Sequence, residues 1–281
     1  MRKLLSSRSV YLIVLVFVIA AILIVIPLQS CHNPTAPNKN NNNNPPDTTS
    51  NNFTFQSYTF GVSNAGSSYL KDVAIVSDSD IWCVGAVYLD SASGSPDPFP
   101  YNVIHWDGKS WTPMKAPFYY QGKAFYNPMY SICAFDENDI WLEAGIHWDG
   151  NKFQTEPLNI DFPSHVNKMW GVSSNDLYIG GNSGLIAHRG SDGLWQKLES
   201  GTTTAITDIW GSGDTILATV TNEFETGDKR LLQINSNGTI SSLNWSPNSR
   251  LQTVWFQSMD KIFIGGGEHI VGNPGDWHKI T

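Results

Sequence analysis

The sequence predicts an all-β chain, and three observations carry that expectation. A unit of apolar strand, Asp-ended turn, Ile-Trp or a variant, and a later strand running into Trp-Asp-Gly recurs about five times. The strands are short, rich in β-branched and aromatic residues, and bounded by Gly, Asn, Asp and Ser. No stretch after residue 52 sustains a helical period. Radially stacked four-stranded blades explain a repeat of 37–59 residues between the equivalent positions 81, 140, 177, 216 and 262, so the expected architecture is a β-propeller of about five recognisable blades.

The first copy runs Lys71–Val76, turns through Ser77–Asp80 and continues Ile81–Gly85, with a third strand at Val103–Trp106 and Asp107-Gly108 leading to Trp111. The second is the most compact, Met129–Phe153. The third has Lys168–Val172, Leu177–Ile179, Leu185–His188 and Asp192–Trp195. The fourth has Thr207–Gly211 and Ile216–Ala218. The fifth has Thr253–Phe256, Ile262–Gly265 and Asp276-Trp277. Asp-Gly suits a tight hairpin because glycine takes positive φ without steric cost.

The repeated polar residues have structural readings. All 11 Trp residues fall after position 80 and are expected to pack between blades. His105, His147 and His188 occupy equivalent places on successive sheets, and His269 falls near the same place. Separate sheets make them hydrogen-bonding residues of each blade rather than ligands of a shared metal. Asp80, Asp139, Asp176, Asp214 and Asp260 are expected to cap turns through nearby backbone N–H groups. No spacing points to a metal or a cofactor.

Phe53–Phe60 reads as an additional outer strand, although the fifth copy already has one at Trp277–Ile280. Two arrangements accommodate it: a six-blade ring shortened at its C-terminal side, or a closed five-blade ring with a spare edge strand.

The N-terminal thirty residues precede the domain. Arg2, Lys3 and Arg8 lead into an apolar stretch of 17 residues, Val10–Ile26. This order describes an export signal. Leu28-Gln29-Ser30-Cys31 resembles the lipobox of bacterial lipoproteins, in which the cysteine is acylated, so Cys31 is the expected lipidation site. An uncleaved helix is the alternative, at the short limit for spanning hydrocarbon. Either places the body outside the cytoplasm, in the cell envelope. His32–Asn52, rich in Asn, Pro and Thr, lacks the apolar residues that could offset ordering and reads as a stalk of about 25–30 Å. The expected organisation is signal 1–30, linker 31–52 and propeller 53–281.

Without residues 1–30 the basic count drops from 17 to 14 against 25 acids, a net charge of −11. Such a domain has little attraction for nucleic acid. Besides Cys31 only Cys83 and Cys133 remain, both in apolar strands. They read as buried thiols, with an inter-blade disulfide as the alternative in an oxidising compartment.

Strand order locates the binding face. In a four-stranded blade, the loop between strands two and three shares a side with the crossing to the next blade. The long segments 86–102, 115–128, 158–166 and 219–229 all belong to that side, and long loops on a rigid face are where binding is built. Tyr88, Tyr101, Tyr119, Tyr120, Phe125 and Tyr126 are the candidate ligand-binding residues, because a tyrosine ring offers apolar area with a polar tip to a glycan or a protein. The same rings could instead pack the loops onto the blades. Glu143 stands where the first copy has Val84, so a carboxylate replaces an apolar residue in strand two, with Asp90, Asp97, Glu156, Asp161 and Glu268 in or near loops. Paired-carboxylate chemistry needs two acids about 5–10 Å apart, which spacing alone does not establish.

Residues 53–281 resemble a family of exported bacterial β-propeller proteins with Ile-Trp…His-Trp-Asp-Gly repeats, and Phe118–Gly122 and Phe162–Lys168 are similar to segments of that family. Its members are often labelled glucosyltransferase, so the resemblance implies a glycan-active enzyme as the alternative to a binding protein. No catalytic residue is assigned, because no nucleotide-binding or nucleophile motif is present.

Overall fold

The computed structural model describes residues 56–62, 66–143, 145–156, 159–161, 165–221, 227–245 and 247–280. The expected signal, the linker and Cys31 lie outside the described residues. Among those described, the chain forms six antiparallel sheets: five of four strands and one two-stranded hairpin.

Blade one is β1 (Tyr69–Ser77), β2 (Asp80–Val87), β3 (Tyr101–Trp106) and β4 (Trp111–Met114). The crossing carries the hairpin β5 (Phe118–Tyr120) and β6 (Lys123–Phe125). Blade two is β7 (Ile132–Asp136), β8 (Asp139–Leu142), β9 (Ile146–Trp148) and β10 (Phe153–Thr155). Blade three is β11 (Val166–Ser173), β12 (Asp176–Gly181), β13 (Ile186–Arg189) and β14 (Trp195–Leu198). Blade four is β15 (Ile206–Ser212), β16 (Thr215–Val220), β17 (Arg230–Ile234) and β18 (Ile240–Ser242). Blade five is β19 (Leu251–Ser258), β20 (Lys261–Gly266), β21 (Ile270–Asn273) and β22 (Asp276–Lys279). Every blade is a meander, as short strands linked by tight turns dictate.

Alternation along each strand sends one row of side chains toward the preceding blade and the other toward the next. Trp82 of blade one packs with Ile140 and Leu142 of blade two. Trp141 and Cys133 pack with Leu177 and Ile179 of blade three. Tyr178 packs with Ile216 and Ala218 of blade four, and Leu217 with Ile262 and Ile264 of blade five. The core is therefore a series of inter-blade layers. The innermost strands pack in succession, β1 on β7, β7 on β11, β11 on β15 and β15 on β19, and among the described residues no comparable packing joins β19 to β1.

A polar residue in or just before several innermost strands latches the next blade, and Asp72 and Asp208 each follow a bulge. Asp72 Oδ2 accepts from Ile132 N at 3.1 Å, Ser131 Oγ from Met169 N at 2.7 Å, and Asp208 Oδ2 from Val254 N at 2.8 Å. At the equivalent place in blade three stands Lys168, a donor, and it spans to blade one instead, with Nζ 2.8 and 2.9 Å from the two oxygens of Asp72. Burial works against its charge, but Asp72 and Asp208 outweigh that and raise its pKa.

Several sequence expectations change here. Residues 56–60 form no strand; Tyr58 and Phe60 lay their rings on Trp111 at 5.7 Å each, covering the free face of blade one. Aromatic packing there replaces edge pairing, and residues 53–55 lie outside the described set. Three of the repeated aspartates, Asp80, Asp139 and Asp176, pair with histidines instead of capping their turns. Asp80 accepts from Trp82 Nε1 at 2.6 Å and pairs with His105 Nε2 at 2.8 Å, with the His105 ring stacked on Trp82. Asp139 with His147 and Asp176 with His188 repeat the pairing. One turn residue facing a strand-three histidine on the adjacent strand explains the substitution of roles. The caps are the aspartates of Trp-Asp-Gly: Asp107 Oδ1 accepts from Lys109 N and Ser110 N, and Asp149 Oδ1 from Asn151 N and Lys152 N. Gly108 and Gly150 both have φ of 85°, and a Cβ at Gly150 would sit 1.9 Å from Asn138 Oδ1. Cys83 and Cys133 are both buried in apolar strands, and burial pushes the Cys83 thiol up to about 12.

Candidate functional site

The crossing from blade one to blade two is held at its neck by one buried amide. Asn102 Nδ2 donates to Ala116 O and Asn127 O, both at 3.0 Å, and its Oδ1 accepts from Ala116 N at 2.8 Å. Start and end of the crossing are thus drawn together, and the ten residues between them project as the β5–β6 hairpin. Its two-residue loop, Gln121-Gly122, has φ of 49° and 74°, the pair of left-handed residues that matches the twist of a two-strand ribbon. Tyr119 N donates to Thr155 Oγ1 of blade two at 2.9 Å, tying the hairpin down.

The six candidate rings divide into two groups. Tyr119 (51%), Tyr120 (58%) and Phe125 (41%) are exposed on the hairpin. Tyr88, Tyr101 and Tyr126 are half-buried, and the last two gather with Phe99 around one lysine. Lys115 organises that packing: it is 2.6 Å from Asp97 Oδ2 and lies over the rings of Tyr101 (4.8 Å), Tyr126 (5.6 Å) and Phe99 (5.9 Å). Hydrogen bonds from Lys115 and from Phe99 N hold the Asp97 carboxyl below its usual range.

Between the hairpin and blade two lies a cavity of about 420 Å³. Phe118, Phe125, Met129, Tyr130, Glu143 and His165 supply its character. The Tyr130 and His165 rings meet at 4.9 Å. Glu143 follows β8 with φ of 53°, an uncommon conformation for a residue with a Cβ. Its Oε1 accepts from Tyr130 N and, at 3.2 Å, from Ser131 N. Burial pushes the carboxyl up to about 7 against these donors. Ionised, it can receive a cation; protonated, it can donate.

A second cavity on the same side, about 480 Å³, is lined by Ser200, Thr202, Thr204, Asp228 and Arg230 among others. Arg230 is paired with Asp228 at 2.5 Å, and Thr202 Oγ1 donates to Asp228 at 2.6 Å, so these two charges satisfy each other. Asp161 and Glu268 do not line the first cavity, and Asp90 and Asp97 belong to the neighbouring loop. Among the described residues no group of three His, Cys, Asp or Glu side chains could hold a metal ion.

Asn102, Tyr130 and His165 were not among the sequence candidates. Asn102 carried a signal, a lone amide before the apolar pair Val103-Ile104. Tyr130 and His165 precede innermost strands and look like scaffold until the hairpin is folded over them.

No family model matches this chain, and no curated protein matches it. Solved structures do. It is similar to YCF48 from Cyanidioschyzon merolae, with 14% identity over 76% of this chain and 72% of that one and a TM-score of 0.54. It is also similar to YCF48 bound to D1 peptide, with 15% identity over 80% of this chain and 74% of that one and a TM-score of 0.51. Identity at this level speaks for architecture, and together with the five radially packed meanders it makes the chain a β-propeller.

Proposed function

We propose that this chain is an extracytoplasmic binding propeller, held at a membrane through lipid on Cys31, that takes a protein segment on its long-loop face. The observation that carries the reading is the clustering of exposed Tyr119, Tyr120 and Phe125 on a hairpin pinned by Asn102, at the rim of a cavity. Rigid aromatics lose little entropy on binding and provide area with a polar tip. The similar fold of YCF48 bound to D1 peptide supports a peptide as the class of ligand. The five four-stranded sheets are read as an arc of a ring with about six positions, because β1 and β19 do not pack on each other as the consecutive innermost strands do.

The second reading is a glycan-active enzyme, and Glu143 favours it, since a buried carboxyl poised near neutrality suits proton transfer. Against it, Glu143 is the one carboxylate lining its cavity among the described residues, and paired-acid hydrolysis needs two. The test pairs a peptide array with a glycan array and a nucleotide-sugar turnover assay. Peptide binding weakened about tenfold or more in Tyr119→Ala/Tyr120→Ala, without turnover, supports the binding reading. Turnover that disappears in Glu143→Gln replaces it with the enzyme.

A further inference from the structure

We infer that the cavity beside the β5–β6 hairpin is a subsite for one basic side chain, lysine or arginine, of the bound peptide, with Glu143 as its counter-charge. This rests on the reading of the loop face as peptide-binding. Phe118, Phe125 and Tyr130 present ring surface along the cavity, which suits the methylene stem of a long cationic side chain. Such rings also attract the charge itself. Tyr130 already does so within the fold, with Lys71 Nζ 5.5 Å from its ring centroid. Among the described residues Glu143 is the only acid in the lining, and a buried cation requires an opposite charge within reach. The left-handed backbone at Glu143 aims the carboxylate back onto Tyr130 N and Ser131 N, so the acid is fixed before any ligand arrives.

A latch role alone, with Glu143 serving only as acceptor for those backbone groups, makes a different prediction. Glutamine keeps an acceptor oxygen but no charge, so the latch survives Glu143→Gln while cation selectivity does not. The groups facing Glu143 are His165 at the start of blade three, Tyr130 before β7, Asp72 on β1 and, over Tyr130, Lys71. Because burial holds the empty carboxyl near 7, a cation must displace a proton at acidic pH, and affinity should rise about tenfold from pH 6 to pH 8. The glutamine variant, which has no ionisable group at this place, should lose that rise.

The test uses the full chain in detergent. It combines an immobilised random dodecapeptide library with butylguanidinium titrated against the ¹⁵N-labelled protein. Expected are Lys or Arg enrichment among bound peptides, lost in Glu143→Gln, and butylguanidinium shifts at the Tyr130 and Ser131 amides that weaken about tenfold or more in that variant. Phe125→Ala, at an exposed ring, provides a second variant with weakened binding should the glutamine protein fold poorly. Peptides bound without basic preference, and amides unmoved by butylguanidinium, overturn the subsite and leave the binding face standing. Amides that shift in the wild type but not in Glu143→Gln, with no peptide retained, support the cation site and overturn the peptide reading.

Discussion

Glu143 concentrates the chemistry of the loop face in one residue. Its backbone is left-handed, its carboxyl is buried, and two backbone N–H groups are aimed at one oxygen. The donors favour the charged form and desolvation disfavours it, and desolvation wins, taking the pKa from 4.5 to about 7. A folded-state pKa above the unfolded value means the folded protein binds more protons between those two values. Stability from this residue is therefore present below about pH 4.5 and is lost as pH rises toward 7, by about 3 kcal/mol. Urea unfolding from pH 4.5 to 8 should show that decline in the wild type and a flatter profile in Glu143→Gln. Equal slopes would mean the carboxyl is solvated and ordinary. Asp139 shows the opposite balance: burial raises it, but hydrogen bonds from His147 and Ser174 outweigh burial and lower its pKa.

At the scale of elements, the β5–β6 hairpin depends on a clamp that touches none of its residues. Asn102 satisfies three backbone hydrogen bonds from a buried position, and its truncation would leave one backbone donor, Ala116 N, and two acceptors, Ala116 O and Asn127 O, unpaired. Asn102→Ala should cost about 2–3 kcal/mol and raise amide exchange across 118–125 while the blades stay protected. The repeat and its tight turns were legible in the sequence because alternation and Asp-Gly are local signals. The side on which the long loops gather followed from strand order alone. Tyr119, Tyr120 and Phe125 were recognisable as loop aromatics, but nothing local separated them from the half-buried Tyr88 or from Tyr101 and Tyr126, over whose rings Lys115 lies from a distant place in the chain. The aspartates of the Ile-Trp turns were misjudged for a related reason. Their partners His105, His147 and His188 stand 8–25 residues away, across a strand pairing that spacing does not reveal.

The whole molecule is a succession of blades in which each sheet offers one row to its predecessor and one to its successor. Blade five continues the pattern: Phe256 is buried against blade four, while Trp255 and Phe263 form a half-buried pair, with ring centroids 5.5 Å apart, on the opposite face. Phe256→Ala should therefore cost about 3–5 kcal/mol in urea unfolding. Phe263→Ala should cost about 1–2 kcal/mol, since less area is withdrawn from water. Equal losses would show that the far face of blade five is covered as fully as the others. The central claim is that ligand binding belongs to the long-loop side of this array. Hydrogen exchange on the full chain, with and without a peptide selected from the dodecapeptide library, tests it most directly. Slower exchange confined to 118–131 and 143–146 is the expected result; protection instead at the opposite turns 77–80, 136–139 and 173–176 would contradict it.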